Sequence, residues 1–250
     1  MLLTLFPFEP ALYRSTPVTA VFVGHPLADA IEPGGGGETA RRAACAELAL
    51  DAGDTVIALL PGSRMSEIRM LGERFLDAAR IIQQARPSAR FVVPCVRPEI
   101  AAWLARAKRD RPALRLTFYE GDARLALTAC RAALVKSGTS TLEAMLLGRP
   151  MVVSYRLGPV SYRLVRVLLR TPFVALPNIL AGRRIVPELL QDAASPEALA
   201  ATLLTELDKA GRDPEYLSEF RRQHALLRQD ADSRAAEAVT RCLETKHGPR

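Results

Sequence analysis

The sequence predicts an α/β fold in which a doubly wound parallel sheet is followed by a helical tail. Short apolar runs alternate with stretches of helical periodicity between residues 55 and 176, and this alternation is typical of successive βα units. Beyond Pro196 the strand pattern ends, while helical periodicity continues to residue 243. The 250 residues are enough for one or two domains with a sizeable core.

The regular pattern begins after a flexible break formed by Pro33 and the glycine run at 34–37. The predicted strands are short apolar runs, at residues 55–60, 90–94, 114–118, 132–136, 151–155 and, more weakly, 173–176. The predicted helices between them have apolar residues at helical spacing, at residues 67–84, 98–108, 122–130, 140–147 and 159–169. Leucine periodicity predicts further helices around residues 199–207, 216–227 and 235–243, which either pack on this sheet or reach another domain.

The amino-acid composition limits which partners the protein can bind and which cellular compartment it can occupy. The net charge of +7 favours anionic partners, but only 6% of residues are aromatic and no basic run is interleaved with stacking rings, which argues against nucleic acid. The four cysteines are far apart, without the spacing of a metal site, and indicate reduced thiols in a cytoplasmic protein. The apolar runs are too short to cross a membrane and the N-terminus does not resemble a secretory signal, so we expect a soluble or peripheral protein.

Three predicted loops follow strands and are candidates for a ligand site. They are residues 61–64 (PGSR), residues 137–143 (SGTSTLE) and residues 176–178 (LPN). In open parallel sheets ligands bind outside the carboxyl ends of the strands, so these loops are expected at one edge. Each also has an ordinary interpretation: Pro-Gly and Pro-Asn are common turn dipeptides, and Ser63 could simply cap the next helix. Their common location favours a ligand site.

The loop after the strand at 132–136 is the most informative segment. A turn of small residues between a strand and a helix presents unpaired backbone N–H groups and the positive end of the helix dipole to a phosphate. Ser140 and Glu143 also have the spacing of a capping box, and the spacing alone leaves cap and ligand site open. Arg64 could hold phosphate oxygens bidentately, while Glu143 could accept from ribose hydroxyls. Together these residues predict a pocket for a nucleoside diphosphate.

Four motifs resemble those of the lipid-A-disaccharide synthase family, in the same order and spacing over nearly the whole chain. They are residues 23–29 (VGHPLAD), 60–64 (LPGSR) with Glu67, 137–143 (SGTSTLE) and 176–182 (LPNILAG). The resemblance implies the Rossmann-like C-terminal half of a GT-B glycosyltransferase of lipid A biosynthesis. The implied reaction joins UDP-2,3-diacylglucosamine to 2,3-diacylglucosamine 1-phosphate, giving the β-1,6-linked disaccharide and UDP.

The resemblance also implies roles for individual residues. Arg64 and Asn178 match residues that the family needs for catalytic activity. The residues implied to bind UDP are Gly62, Ser63, Arg64, Ser137, Gly138, Thr139, Ser140, Thr141, Glu143 and Asn178. No metal and no cofactor is expected, because the UDP-sugar is a substrate, and backbone dipoles with Arg64 would stabilise the charge of the departing UDP.

The domain organisation expected from the resemblance has three parts. Residues 1–32 would be a remnant of the family's domain junction, 33–195 the UDP-sugar-binding domain, and 196–250 helices that pack on this domain or cross from it. The family's N-terminal half, with its catalytic carboxylate, has no counterpart here, and His25 is expected to pack at the junction rather than act as a base. We therefore expect the isolated chain to bind UDP and to turn over little.

Further partners follow from the resemblance and from one predicted helix. Arg163, Arg166 and Arg170 share one face of a helix predicted near residues 159–169, a pattern that suits an anionic membrane surface or the acceptor phosphate, and also an ordinary surface helix. The implied partners are both substrates, the inner-leaflet surface on the cytoplasmic side, and a separately encoded N-terminal half or a second copy of the chain. Two alternatives remain: a non-catalytic UDP-binding remnant of a truncated gene, or another GT-B UDP-sugar transferase.

Overall fold

The fold is a parallel sheet enclosed by two layers of helices, in a computed structural model that describes residues 1–157, 172–213 and 215–246. The predicted helix at 159–169, with its three arginines, lies outside the described residues. The strands are β1 Leu2–Thr4, β2 Ala20–Phe22, β3 Thr55–Leu60, β4 Ala89–Cys95, β5 Leu116–Glu120, β6 Ala132–Lys136, β7 Met151–Tyr155 and β8 Glu188–Leu190. The helices are α1 Glu9–Leu12, α2 Pro26–Ala30, α3 Glu38–Glu47, α4 Met65–Ala85, α5 Pro98–Arg109, α6 Ala123–Ala129, α7 Thr139–Leu146, α8 Leu176–Ala181, α9 Pro196–Arg212, α10 Ser218–Leu227 and α11 Ala231–Lys246.

The main sheet has six strands in the order β5-β4-β3-β6-β7-β8, and all of its pairs are parallel. The chain moves outward from β3 through β4 to β5 and then returns to β6 on the other side of β3. This reversal confirms the predicted doubly wound fold, and it places the switch point between β3 and β6. In such sheets the crevice at the switch point, outside the carboxyl ends of the strands, is where ligands bind.

Side chains of β3 alternate between two buried layers, as the pleat of a strand requires. Val56 and Ala58 face the layer that contains α3, α6, α7 and α10. Ile57 and Leu59 face the opposite layer, which contains α4, α5 and α9. Because β3 is covered on both faces, it is a continuous apolar run rather than an alternating one.

The prediction of a weak strand at residues 173–176 is wrong. Leu176 begins helix α8, whose first turn contains Pro177. The backbone N–H groups of Val174 and Ala175 donate to the carboxylate of Glu188 (2.9–3.2 Å) instead of to a neighbouring strand. The sixth strand of the sheet is β8, which begins at Glu188 and pairs with β7.

The helical tail packs on this chain's own sheet and helices. Helix α9 lies against α4, β6 and β7, while α10 contacts α2, α7 and α8 and α11 contacts α2. The N-terminal strands β1 and β2 form a separate two-stranded parallel sheet. His25 caps α2 and is largely buried, its Nδ1 accepting from the backbone N–H of Leu27 (3.2 Å). Across the described parts of the chain, no helix has the length and apolar character needed to cross a membrane.

Candidate functional site

A cavity of about 460 Å³ opens at the carboxyl ends of β3, β4 and β6. This is the switch-point edge, where the fold alone predicts a ligand. Two loops form its main walls, one after β3 and one after β6. The cavity is lined by Leu60, Pro61, Gly62, Ser63, Arg64, Glu67, Pro94, Val96, Asp122, Ala123, Lys136, Ser137, Gly138, Thr139, Ser140 and Glu143.

The wall after β3 is fixed by a carboxylate from the first turn of α4. The Oε2 atom of Glu67 accepts from the backbone N–H of Ser63 (3.0 Å) and, at 3.4 Å, from that of Arg64. Gly62 has a φ of +132°, and a Cβ at this position would lie 2.4 Å from the same oxygen. The loop therefore needs glycine here, both for its backbone conformation and for the close approach of Glu67. The guanidinium of Arg64 is 76% exposed at the rim, within reach of a ligand.

The wall after β6 is the turn from Lys136 into α7. The helix begins at Thr139 with Gly138 as its N-cap, and Thr141 Oγ1 donates to the carbonyl of Gly138 (2.7 Å). The capping-box interpretation of Ser140 and Glu143 is therefore wrong, and both residues line the cavity instead. Backbone N–H groups in the first turn of a helix lack intrahelical partners and suit an anion. Thr141 is fully buried, so it supports the turn from behind.

Glu143 projects from α7 toward the cavity and is partly buried. Burial raises the pKa of Glu143; the charge of Arg124 opposes this shift and that of Asp122 adds to it. By contrast, the pKa of Glu67 lies below its ordinary value. Burial alone would raise it, but this effect is outweighed by the hydrogen bond and charge of Lys136 and by the backbone N–H groups of Ser63 and Arg64. The two carboxylates thus differ in character: Glu67 is held in an ionic cluster, while Glu143 faces the cavity.

Asn178 does not line the cavity. Its side chain is fully buried, with Oδ1 accepting from the backbone N–H groups of Ile185 (2.7 Å) and Val186 (2.9 Å). Its Nδ2 donates to the Val186 carbonyl (2.9 Å) and to Glu188 Oε1 (2.8 Å). These four hydrogen bonds give Asn178 a structural role at the start of β8.

A chain of hydrogen bonds nevertheless connects Asn178 to the cavity. Glu188 accepts from Asn178 and from the backbone N–H of Val174, whose carbonyl in turn accepts from Ser137 Oγ (2.6 Å). Ser137 lies in the turn that lines the cavity. The structure therefore brings Gly62, Ser63, Arg64, Ser137, Gly138, Thr139, Ser140 and Glu143 to one cavity, and places Thr141 and Asn178 behind it.

Three residues with evident roles at this site were not among the sequence-predicted site residues. Glu67 belongs with the motif at 60–64, and its position three residues after Arg64 is a signal for a contact with that loop. Lys136 is the last residue of the strand predicted at 132–136. Glu188 lies in a segment without any motif, and only the folded structure shows that it holds the loop at Val174.

The doubly wound sheet with a cavity at its switch point defines an α/β protein of the GT-B-like class. Among solved structures, a glycosyltransferase from Rickettsia africae is similar with a TM-score of 0.64 and 8% identity, over 99% of this chain and 64% of that one. UDP-GlcNAc 2-epimerase from Neisseria meningitidis is similar with a TM-score of 0.59 and 16% identity, over 92% and 58%. At such identities the likeness shows the fold alone, and the two catalyse different reactions.

Comparison of the sequence with known proteins identifies the family more closely than the fold does. The family model for lipid-A-disaccharide synthetase (LpxB) matches residues 1–240. The lipid-A-disaccharide synthase of Azotobacter vinelandii is 48% identical over 249 residues, which cover 98% of this chain and 63% of that protein. This chain belongs to the lipid-A-disaccharide synthase family, as its four motifs predicted. It spans a little under two thirds of the length of that curated relative.

Proposed function

We propose that this chain is the donor-binding part of a glycosyltransferase that forms the lipid A disaccharide. The observation that carries the proposal is the cavity at the β3/β6 switch point, which is walled by two motifs of the family, residues 61–64 and 137–143. Its 460 Å³ suits the nucleotide portion of a donor. The proposed donor is UDP-2,3-diacylglucosamine, and the proposed acceptor is 2,3-diacylglucosamine 1-phosphate.

In this proposal the cavity stabilises the leaving group. The α7 turn at 137–140 and the guanidinium of Arg64 would hold the diphosphate, while Glu143 would accept from the ribose hydroxyls. As the bond between the sugar C1 and the diphosphate oxygen breaks, negative charge grows on UDP. Hydrogen-bond donors and cations that are already in position stabilise this charge most strongly in the transition state. Thr141 and Asn178 would support the turn without touching the ligand, so Asn178 would be a positioning residue.

The remaining chemistry would come from outside this cavity. The acceptor hydroxyl oxygen forms the new bond to C1, and its proton must pass to a base. His25 caps α2, and His224 Nε2 lies 2.9 Å from the Ala28 carbonyl, so both are engaged in packing. We propose that the base lies in the part of the family's enzymes that this chain does not span. The enzyme would work at the cytoplasmic face of the inner membrane.

The proposed function also assigns a role to each of the three segments of the chain. Residues 33–195 would form the UDP-sugar-binding domain, residues 1–32 the junction to the N-terminal half, and 196–250 the helices that complete the donor-binding part. The described contacts of α9 with α4, and of α10 with α7, support a single unit for segments 33–195 and 196–250.

Titration calorimetry of the purified chain with UDP tests the binding role. We expect saturable binding, which Arg64→Ala and Glu143→Ala each weaken by about tenfold or more, the value of a charge-assisted hydrogen bond. Arg69→Ala is the matched control, because Arg69 is an exposed arginine of α4 that does not line the cavity. Unchanged UDP affinity in both site variants would show that the site is elsewhere.

Product formation tests the catalytic role. The chain supplemented with an N-terminal half from a relative should form the disaccharide from the two acylated substrates, and Arg64→Ala should abolish this. Binding of UDP without any transfer under these conditions would favour a non-catalytic UDP-binding protein. Transfer from plain UDP-GlcNAc in preference to the acylated donor would favour a different sugar transferase.

A further inference from the structure

The ammonium of Lys136 lies where the two walls of the cavity meet. Its Nζ is 3.0 Å from Glu67 Oε1 and 5.3 Å from the centre of the Tyr155 ring. A Cβ built on Gly138 would be 3.8 Å from the same Nζ, so the ammonium lies directly beside the α7 turn. The other oxygen of Glu67 accepts from the backbone N–H of Ser63, so the ion pair joins the β3 loop to the β6 turn.

The charges around the cavity show why this ammonium matters. Among the described residues that line the cavity, the cationic ones are Arg64 and Lys136, and the acidic ones are Glu67, Asp122 and Glu143. A diphosphate brings further negative charge to a wall that already has more acidic than basic groups. If Lys136 were neutral, Arg64 would be the one cation among these described lining residues, and the three carboxylates would oppose a diphosphate within a Debye length of about 8–10 Å.

The two cations differ in how well they are prepared for a ligand. The Lys136 side chain is 19% exposed and is held from two sides by Glu67 and Tyr155. Arg64 is 76% exposed, and its guanidinium is 3.6 Å from Glu67, beyond hydrogen-bonding distance. Ordering a loose, rotamer-rich side chain opposes binding, whereas a group already in position does not carry that cost.

We propose that Lys136 is a second phosphate-binding cation of the donor site, and that Glu67 positions it against the α7 turn. This inference rests on the proposed UDP-binding role of the cavity. Lys136 would contact the diphosphate directly, from beneath the turn, while Arg64 closes from the rim. Glu67 would act through Lys136 and through the backbone of the β3 loop, without touching the ligand.

Calorimetric titration of UDP and of uridine tests this assignment, because only UDP carries the diphosphate. Lys136→Met keeps the apolar stem and removes the charge, and it should weaken UDP binding by about tenfold or more while leaving uridine binding unchanged. Lys136→Arg, which keeps the charge, should recover part of the UDP affinity. Lys209→Met is the matched control, since Lys209 also pairs with a buried carboxylate, Glu206 (2.8 Å), away from the cavity.

A second measurement uses the unaltered chain. Reductive methylation followed by peptide mass spectrometry should show that UDP protects Lys136 from modification and that uridine does not. Equal losses of UDP and uridine affinity in Lys136→Met would indicate a purely structural lysine and overturn the inference. UDP affinity unchanged by that substitution would overturn it too, with the proposed UDP site intact. Failure of the unaltered chain to bind UDP would instead overturn the proposed function.

Discussion

Gly62 is the residue at which the candidate site tolerates least change. Its φ of +132° is unfavourable for residues with a side chain, and a Cβ would lie 2.6 Å from the Glu67 Cβ and 2.4 Å from Glu67 Oε2. Glu67 cannot simply turn away, because it holds Ser63 through one oxygen and Lys136 through the other. A single methyl group here would therefore disturb the β3 loop and the ion pair together.

We expect Gly62→Ala to lower the free energy of unfolding by about 1–3 kcal/mol, the usual cost of a strained backbone, and to weaken UDP binding. Urea unfolding and calorimetry would measure the two effects. Gly182→Ala is the matched control: Gly182 also has a positive φ, +65°, but nothing lies within 4 Å of the added Cβ. It should lose stability without losing UDP affinity. Equal UDP affinity in both variants would show that the β3 loop does not need its present shape.

Strands and helices differ in how far the sequence predicts them. The strands at 55–60, 132–136 and 151–155 were predicted with the bounds that the structure gives, because a strand covered on both faces is a short, continuous apolar run. The run at 173–176 has the same composition but forms no strand. A carboxylate from a later segment, Glu188, binds its backbone N–H groups, and no local pattern encodes that contact.

In the candidate site, too, some features are predicted by the sequence and others are seen only in the folded structure. Arg64, Gly138 and Glu143 were predicted at the ligand-binding edge because each follows a strand there, and the structure places all three along the cavity. The pairing of Lys136 with Glu67 joins residues on different elements, so it depends on the register of β3 against β6. Asn178 was predicted to contact the ligand from its motif and from its position after the strand expected at 173–176, while its four hydrogen bonds are seen only in the folded chain.

The link between α8 and β8 gives a prediction for Asn178. Asn178→Ala should lower the free energy of unfolding by about 2–4 kcal/mol, because buried backbone groups at Ile185 and Val186 lose their partners. Urea unfolding would measure this loss. Asn178→Asp keeps an acceptor for both N–H groups but places a carboxylate beside Glu188, so it should also be destabilised. Full stability with loss of UDP binding would show instead that Asn178 contacts the ligand.

At the scale of the whole molecule, residues 25–29 are joined to residues 227–231. The carboxylate of Asp29 accepts from the backbone N–H groups of Asp230 (3.0 Å) and Ala231 (2.7 Å), where α11 begins. Nearby, the N–H of His25 donates to the Leu227 carbonyl (2.9 Å). These contacts attach the proposed junction segment to the helical tail, so we expect the order of each segment to depend on the other.

Asp29→Ala should lower the free energy of unfolding by about 1–2 kcal/mol, the typical loss for a helix cap. It should also speed hydrogen exchange in the first turn of α11 and in residues 25–31 together, because both segments lose the same contact. Asp29→Asn, which keeps a side-chain acceptor, should lie nearer to the unaltered chain. Asp232→Ala is the control, since Asp232 is an exposed acidic residue in the same first turn. If exchange quickened in α11 while residues 25–31 kept their protection, the two segments would be independent, and the junction would be ordered by β1 and β2 alone.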